Sequence, residues 1–335
     1  MLLGSGLRNL ESFGSDKREI DYYRELQNSL DVYLFEYEKS SDIFPGEKIR
    51  FKNKWLQSIF APLKTKLNLK NTNGVIRTKQ LWGVWSGFLY KIIFRKKLIV
   101  RCGYIWSKSL IIDKNIKSGI SKELIRLIEK TLLLTADELI CTTKEVQDYY
   151  QRYFNGKIHI VPNPFNTKKF FNNKSNKNRY YDFCYVGRLN ELKNIKKMVM
   201  MVGNLKMVIA GDGDEKKQLV TANLDYKGLI SNDNLPELYN SAKCFISLSK
   251  TEGNPKAVYE AILCGCYPFL SDIPAHRSII DDLGYGHLVP LDNEEIINEV
   301  ENFKIDQFKL DVFSKKFTLE NIVESEVKIL EKLVV

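Results

Sequence analysis

Between residues 181 and 282 the chain repeats one unit: a short apolar run, a polar turn and a helix-length amphipathic stretch. The strand-like runs are Tyr181–Val186, Lys206–Ala210, Cys244–Leu248 and Tyr267–Leu270. Helix-like runs lie near 191–203, 214–223, 234–242, 255–264 and 274–282. Strands separated by helices of this length form βαβ units and a parallel sheet. The first half repeats the rhythm less cleanly, with strands expected at 32–36, 73–77, 98–102, 137–141 and 157–161 and helices at 16–29, 81–95, 120–134 and 143–154.

A polar stretch, Asn166–Tyr180 (NTKKFFNNKSNKNRY), interrupts the pattern and has the composition of a linker. The end, residues 318–335, returns to an amphipathic helical pattern through Leu319, Ile322, Val323, Val327, Leu330 and Leu333. The expected organisation is a doubly wound α/β domain over 1–165, a linker over 166–180, a second over 181–317 and a terminal helix over 318–335 that crosses back to the first. A length of 335 residues suits two domains. Ligands of such sheets bind at the carboxyl ends of the strands, which for two domains means the cleft between them.

Several classes are excluded early. Apolar residues make up 44% of the chain, too many for a disordered protein. The longest apolar stretch, Leu81–Phe94, is broken by Lys91 and falls short of a membrane span. The N-terminal MLLGSGLRNL lacks a signal-peptide pattern, so a cytoplasmic location is expected. The six cysteines mostly sit inside apolar runs, CGC at 264–266 is not a zinc spacing, and the three histidines are dispersed. No metal site or disulfide framework is expected.

Charge is uneven. Residues 1–170 carry 30 Lys+Arg against 17 Asp+Glu, a net +13, while the remainder is −3. Residues 48–112 hold 15 basic residues, no acidic one and all four tryptophans (Trp55, Trp82, Trp85, Trp106). That window fits an anionic membrane surface, a nucleic acid, or an ordinary solvated face with its tryptophans in the core.

Two segments carry chemistry. In Ser249–Leu270 (SKTEGNPKAVYEAILCGCYPFL) a strand meets a tight turn and then a helix, with Pro255 in the first turn and Gly265 at the end. The N–H groups of that helix start form an anion site. Glu252 precedes the helix and Glu260 follows eight residues later; carboxylates there suit a ligand with both phosphate and hydroxyl groups. In Val186–Lys193 (VGRLNELK) a strand ends and a helix opens, with Arg188 and Lys193 able to face the same anion.

Together with MVIAGDGDEKKQL and YKGLISNDNLPELYNSA, these segments resemble the retaining glycosyltransferases of family 4, of the GT-B fold. VGRLNELK is similar to the family's G-R-L-x-x-x-K element, and EGNPKAVYEAILCGCYPFLSD to its E-x7-E element. The resemblance implies that Arg188 and Lys193 bind the donor diphosphate, Glu252 lies against the donor sugar and Glu260 takes the ribose hydroxyls. It also implies donor contacts from Gly187, Gly253, Asn254, Pro255, Lys256 and Gly228, and from Gly6 in an N-terminal glycine loop. The implied reaction moves a hexose-type sugar from a UDP- or GDP-sugar to a glycan or lipid-linked glycan, with retention by same-face attack and without a cofactor or metal. Anionic membrane contact through 48–112 is the expected partner surface, and no nucleic acid is expected, since no helix-turn-helix, RNP or zinc motif is present.

In LIVRCGYIW (98–106), where relatives carry a histidine, Arg101 stands as the candidate on the acceptor or sugar side, with Tyr104 beside it. HIVPNPFNTKKF resembles the family's hinge entry, with Pro164 and Asn166 in place of its glycine and acid. Asp212-Gly213-Asp214 imitates a metal-binding D-x-D but belongs to the turn after a strand. Asp272 and His276 imitate the spacing of an acid–base pair but are expected in the loop after the Tyr267–Leu270 strand, in a structural or donor-edge role as readily as a catalytic one. An epimerase or phosphorylase on the same frame is the competing enzyme class.

Overall fold

The computed structural model describes residues 16–30, 73–78, 80–113, 116–173, 178–219, 224–292, 297, 300 and 303–334. The expected strand at 32–36, and with it Gly6 and Trp55, lies outside these residues. The chain divides into two compact units: Met1–Pro164 with Glu320–Val335, and Phe165–Leu319.

In the first unit, β1 (Val75–Thr78), β2 (Lys97–Cys102), β3 (Glu138–Cys141) and β4 (Lys157–Ile160) form a parallel sheet in sequential order. Its helices are α1 (Asp16–Gln27), α2 (Val84–Phe94), α3 (Trp106–Asp113), α4 (Gly119–Leu133) and α5 (Lys144–Tyr150). Ser118 and Thr143 cap α4 and α5, each accepting from a backbone N–H at 3.4 Å. Strand alternation sorts the side chains. Leu98, Val100 and Cys102 join Leu139 and Cys141 in one core with Val84, Tyr90, Trp106, Leu133 and Tyr150. Arg77 and Arg101 fall on the other face, because Arg77 pairs in register with Ile99, two residues from Arg101.

Two arginines on a sheet face demand an anion. Glu326 supplies it, from the terminal helix α11 (Leu319–Val334), whose residues from Glu320 onward belong to the first unit. Arg101 Nη1 donates to Glu326 Oε2 at 2.8 Å and Arg77 Nη2 at 3.2 Å; Arg77 Nε also pairs with Oε1, and the Tyr22 hydroxyl of α1 donates to Oε2. All four side chains are buried. The two guanidinium groups hold the Glu326 carboxyl below the usual range against the opposing effect of burial. Three of these contacts tie the terminal helix to the sheet, and the fourth ties α1 to that helix.

In the second unit six parallel strands take the order β10-β9-β8-β5-β6-β7. They are β5 (Tyr181–Val186), β6 (Met207–Ala210), β7 (Leu224–Tyr226), β8 (Ala242–Ser247), β9 (Tyr267–Ser271) and β10 (His287–Val289). The helices are α6 (Ile195–Val202), α7 (Leu235–Asn240), α8 (Lys256–Leu263), α9 (Pro274–Leu283) and α10 (Gln307–Lys316). Cores cover both faces, as parallel sheets require: Phe183, Tyr185, Ile209 and Ile246 on one side, Cys184, Val208 and Phe245 on the other. The expected helix at 214–223 is a 3-10 turn over Asp214–Gln218, followed by residues outside those described.

The described part of the 166–180 stretch belongs to the second unit and does not stand apart as a linker. Phe165 and Phe170 are buried in the second core. Arg179 is buried too, donating to the carbonyls of Tyr239 (3.1 Å), Ala242 (2.7 Å) and Cys264 (2.7 Å) and to Asn172 Oδ1 (2.8 Å). Tyr239 lies in the last turn of α7 and Cys264 caps the end of α8, so a cation meets the negative ends of two helix dipoles.

Replacing Glu326 with alanine leaves two buried guanidinium groups facing each other. The expected loss is about 3–5 kcal/mol of unfolding free energy, the usual consequence of breaking a buried ion pair from one side. Urea denaturation of Glu326→Ala against the parent measures it; a loss under about 1 kcal/mol, the scale of an exposed pair, would contradict the assignment.

Candidate functional site

The order of the second sheet reverses between β5 and β8. The chain winds outward from β5 through β6 to β7, then returns to start again at β8. Loops leaving the carboxyl ends of β5 and β8 therefore diverge, and a crevice opens between them. The two segments singled out in the sequence, 187–193 and 249–256, are these loops.

The first loop is held from one side by the glycine turn after β6. Gly187 N donates to Ala210 O (3.0 Å), Leu189 N to Asp212 O (2.8 Å) and Glu215 N to Leu189 O (2.9 Å). Gly211 sits at φ +143°, and a Cβ there would come within 1.8 Å of Gly187 O, so only glycine allows this approach. Asp212 accepts from Gly213 N (2.9 Å), and the described residues contain no cluster of carboxylates and histidines suited to a metal. Gly228, at φ +65°, accepts from Gly211 N at 2.7 Å and fixes the exit of β7 against the same turn.

Past Gly187, Arg188 is exposed, and its carbonyl accepts from the Tyr185 hydroxyl at 3.1 Å. Burial drives the Tyr185 hydroxyl pKa upward, so it remains a donor. Asn190 caps the 3-10 turn Glu191–Lys193 through its side chain (3.3 Å to Lys193 N). Asn194 then adopts a left-handed conformation (φ 56°) that redirects the chain into α6.

The second loop is tied to the first. Lys250 N donates to Leu192 O at 2.8 Å. Lys193 Nζ forms an ion pair with Glu252 Oε1, and the Ser249 hydroxyl donates to the same oxygen at 2.8 Å. Both charged side chains are largely shielded, at 18% and 13% exposure, so the pair is not a screened surface contact. Gly253, Asn254 and Pro255 lead into α8, whose first turn no side chain caps. Asn254 Oδ1 is buried without a described hydrogen-bond partner. Lys256 is exposed at the start of the helix. Glu260, in its second turn, is buried and accepts from the Tyr239 hydroxyl at 3.3 Å.

Asp272 and His276, expected in the loop after β9, have separate partners. Asp272 accepts from Arg277 Nη2 at 2.8 Å. His276 turns inward, its Nδ1 3.0 Å from Ser271 O and 3.1 Å from Ser271 Oγ. A carbonyl can only accept, so Nδ1 carries the proton. Ser271 Oγ donates onward to Ser249 O at 2.6 Å, linking His276 to the residue that orients Glu252. His276 Nε2 is buried with no described hydrogen-bond partner. Burial lowers the His276 pKa to about 4, outweighing the attraction of Glu252. A lone S-x-x-x-x-H backbond has no sequence signature, which is why the link was missed.

Arg101 and Tyr104 belong to the first unit. The Arg101 guanidinium, besides Glu326, donates from Nη2 to Val161 O (3.2 Å), Pro162 O (3.1 Å) and Asn163 Oδ1 (3.2 Å), a structural set of partners. The Tyr104 carbonyl accepts from the Tyr150 hydroxyl at 3.3 Å.

Residues 166–316 match the family described as "Glycosyl transferases group 1", a span of under half the chain. An uncharacterized glycosyltransferase of Methanocaldococcus jannaschii is 25% identical over 201 residues, covering 52% of this chain and 48% of that protein. The chain thus matches about half the length of this curated relative. Among solved structures, Anabaena HepE in complex with UDP superposes with a TM-score of 0.74 at 12% identity over 99% of this chain and 98% of its own. HepE has also been solved with UDP-glucose. The lipopolysaccharide outer core galactosyltransferase WaaB gives a TM-score of 0.72 at 15% identity, with 98% of both chains covered. The fold is therefore that of the GT-B glycosyltransferases, an α/β architecture of two parallel-sheet units.

Because His276 is held neutral in the folded state, acid favours the unfolded chain. The unfolded imidazole takes up its proton near 6.5 while the folded one waits until about 4. The stability it contributes is complete above pH 6.5 and falls as pH drops toward 4. Denaturation of parent and His276→Asn across this range should show their stability difference shrinking as pH falls; parallel profiles would contradict the assignment.

Proposed function

We propose that this chain is a retaining, metal-independent glycosyltransferase. It takes a hexose-type sugar from a UDP- or GDP-sugar and passes it to a glycan or lipid-linked glycan of the kind used in cell-surface polysaccharide, lipopolysaccharide or capsule assembly. The observation that carries this reading is the Lys193–Glu252 ion pair joining the two loops at the strand-order reversal, beside the exposed Arg188 and the uncapped start of α8. The family match over 166–316 and the nucleotide and nucleotide-sugar complexes of HepE support it.

In this reading the diphosphate sits against the N–H groups at the start of α8 and takes Arg188 as a forked donor and Lys193 as a point charge. As the bond between the sugar and the diphosphate breaks, negative charge grows on the leaving phosphate, and these positive groups stabilise it. The acceptor hydroxyl attacks the anomeric carbon from the face the phosphate leaves. Its proton passes to the departing phosphate oxygen, so configuration is retained and charge balances. Glu252 accepts from donor-sugar hydroxyls and Glu260 from the ribose, as ionised carboxylates do well. The Lys193–Glu252 pair keeps two opposite charges together at one place, and a sugar diphosphate offers each a partner: an anion for the lysine and hydroxyls for the glutamate.

Turnover of UDP- and GDP-sugars, read as nucleotide release with and without oligosaccharide acceptors, tests this. Lys193→Ala and Glu252→Ala should each lower turnover by roughly 10²–10³-fold, the scale of a lost transition-state donor, with melting and circular dichroism preserved. Full activity in either variant, or no turnover of any nucleotide sugar by the parent protein, would overturn the reading.

A further inference from the structure

Helix α4 is apolar on two sides. Ile125, Leu132 and Leu133 face the first core, while Ile120, Leu124 and Leu127 point away from it with 85%, 56% and 59% of their surface exposed. At ~100° per residue these three lie within one narrow stripe, and Ile128 and Leu134 extend it. The stripe runs roughly 20 Å along the helix. Helix α2 packs beside α4, and Lys91 near its end donates to Thr135 O at 3.0 Å just past α4. It adds two exposed side chains two turns apart, Trp85 and Ile92.

Isolated exposed leucines need no explanation, but a continuous apolar stripe on a helix does. Its surroundings are basic. Lys117, Arg126 and Lys130 flank the stripe, Arg95 and Lys97 follow α2, and Glu123 is the one acid on the outward side of α4, paired to Arg126. Residues 1–170 carry a net +13. Two copies of such a face would repel each other. An apolar helical face, a tryptophan and a basic rim together match a helix lying in the headgroup layer of an anionic bilayer.

We propose that the outward faces of α4 and α2 dock the first unit on an anionic lipid surface. Residues 48–72 of the window expected in the sequence lie outside the described residues. Within 48–112, Arg77 and Arg101 are buried on Glu326 and Trp106 is buried in the core, so they do not meet lipid; Trp85 does. Residues 119–134, outside that window, carry the exposed apolar stripe of this surface. The inference rests on the first unit and is independent of the donor-site reading. No helix among the described residues is long and apolar enough to cross a membrane, so the contact is peripheral.

The experiment is co-sedimentation of the full chain with phosphatidylcholine vesicles, with and without phosphatidylglycerol. The parent should bind the anionic vesicles at low salt and release as salt rises. The double variant Leu124→Ser with Leu127→Ser should lose binding roughly tenfold or more, and Lys117→Glu with Lys130→Glu should lose the anionic preference. Melting temperature and the thermal shift with UDP should stay unchanged in both, which separates this result from any failure at the donor site. The proposal is overturned if the leucine variant binds like the parent or if the parent binds no vesicle at low salt. It is also overturned if the parent self-associates through this face and the leucine variant disperses it, which would assign the face to a second copy.

Discussion

Strand order in the second unit constrains everything at its carboxyl edge. Between β5 and β8 the winding reverses, so neither adjoining loop is followed by a helix that covers the other. An uncovered gap between two backbone loops cannot be left loose, and here it is bridged by the Lys250–Leu192 backbone bond and the Lys193–Glu252 ion pair, while the Ser271–Ser249 bond that reaches His276 braces the second loop against the end of β9. On the far side the glycine turn after β6 comes so close to Gly187 that no side chain fits. The charged groups that chemistry would use are held by the same bonds that hold the loops.

The two units solve the burial of charge differently. In the first, Arg77 and Arg101 share one carboxylate, Glu326, and the Tyr22 hydroxyl completes its coordination. Breaking that cluster from one side exposes the cost of an unpaired ion. In the second, Arg179 has no carboxylate among its described partners; carbonyls at two helix ends and Asn172 receive it. Both arrangements anchor a segment that composition marks as peripheral, the terminal helix in one case and the polar stretch before β5 in the other.

Much of this was legible in the amino-acid sequence, and the reasons are physical. The apolar runs at 73–77, 98–102, 137–141, 157–161 and 181–186 coincide with β1 to β5 within a residue or two, because buried parallel strands are continuously apolar. The loops carrying Arg188, Lys193 and Glu252 were found because a strand, a tight turn and a helix start leave a recognisable spacing. Short or polar elements were not: β7, β10, α3 and α10 lack the length or the periodicity to stand out. Nothing local to Arg101 in the sequence tells of its bond to a glutamate 225 residues away. Arg179 looked like linker charge for the same reason. The helix expected at 120–134 is present as α4, but its outward stripe is not legible in the sequence, since periodicity identifies apolar positions without saying which of them the fold leaves exposed.

In the proposed function the crevice at the strand-order reversal holds a nucleoside diphosphate through Arg188 and Lys193. Calorimetric titration of UDP and GDP into the full chain, with chelator present, tests it most directly. The account predicts saturable one-site binding of at least one of the two, reduced roughly a hundredfold or more when both Arg188 and Lys193 are replaced by alanine, as expected for two charge-assisted contacts. Absence of binding by either nucleotide, or binding that survives the double replacement, would contradict it.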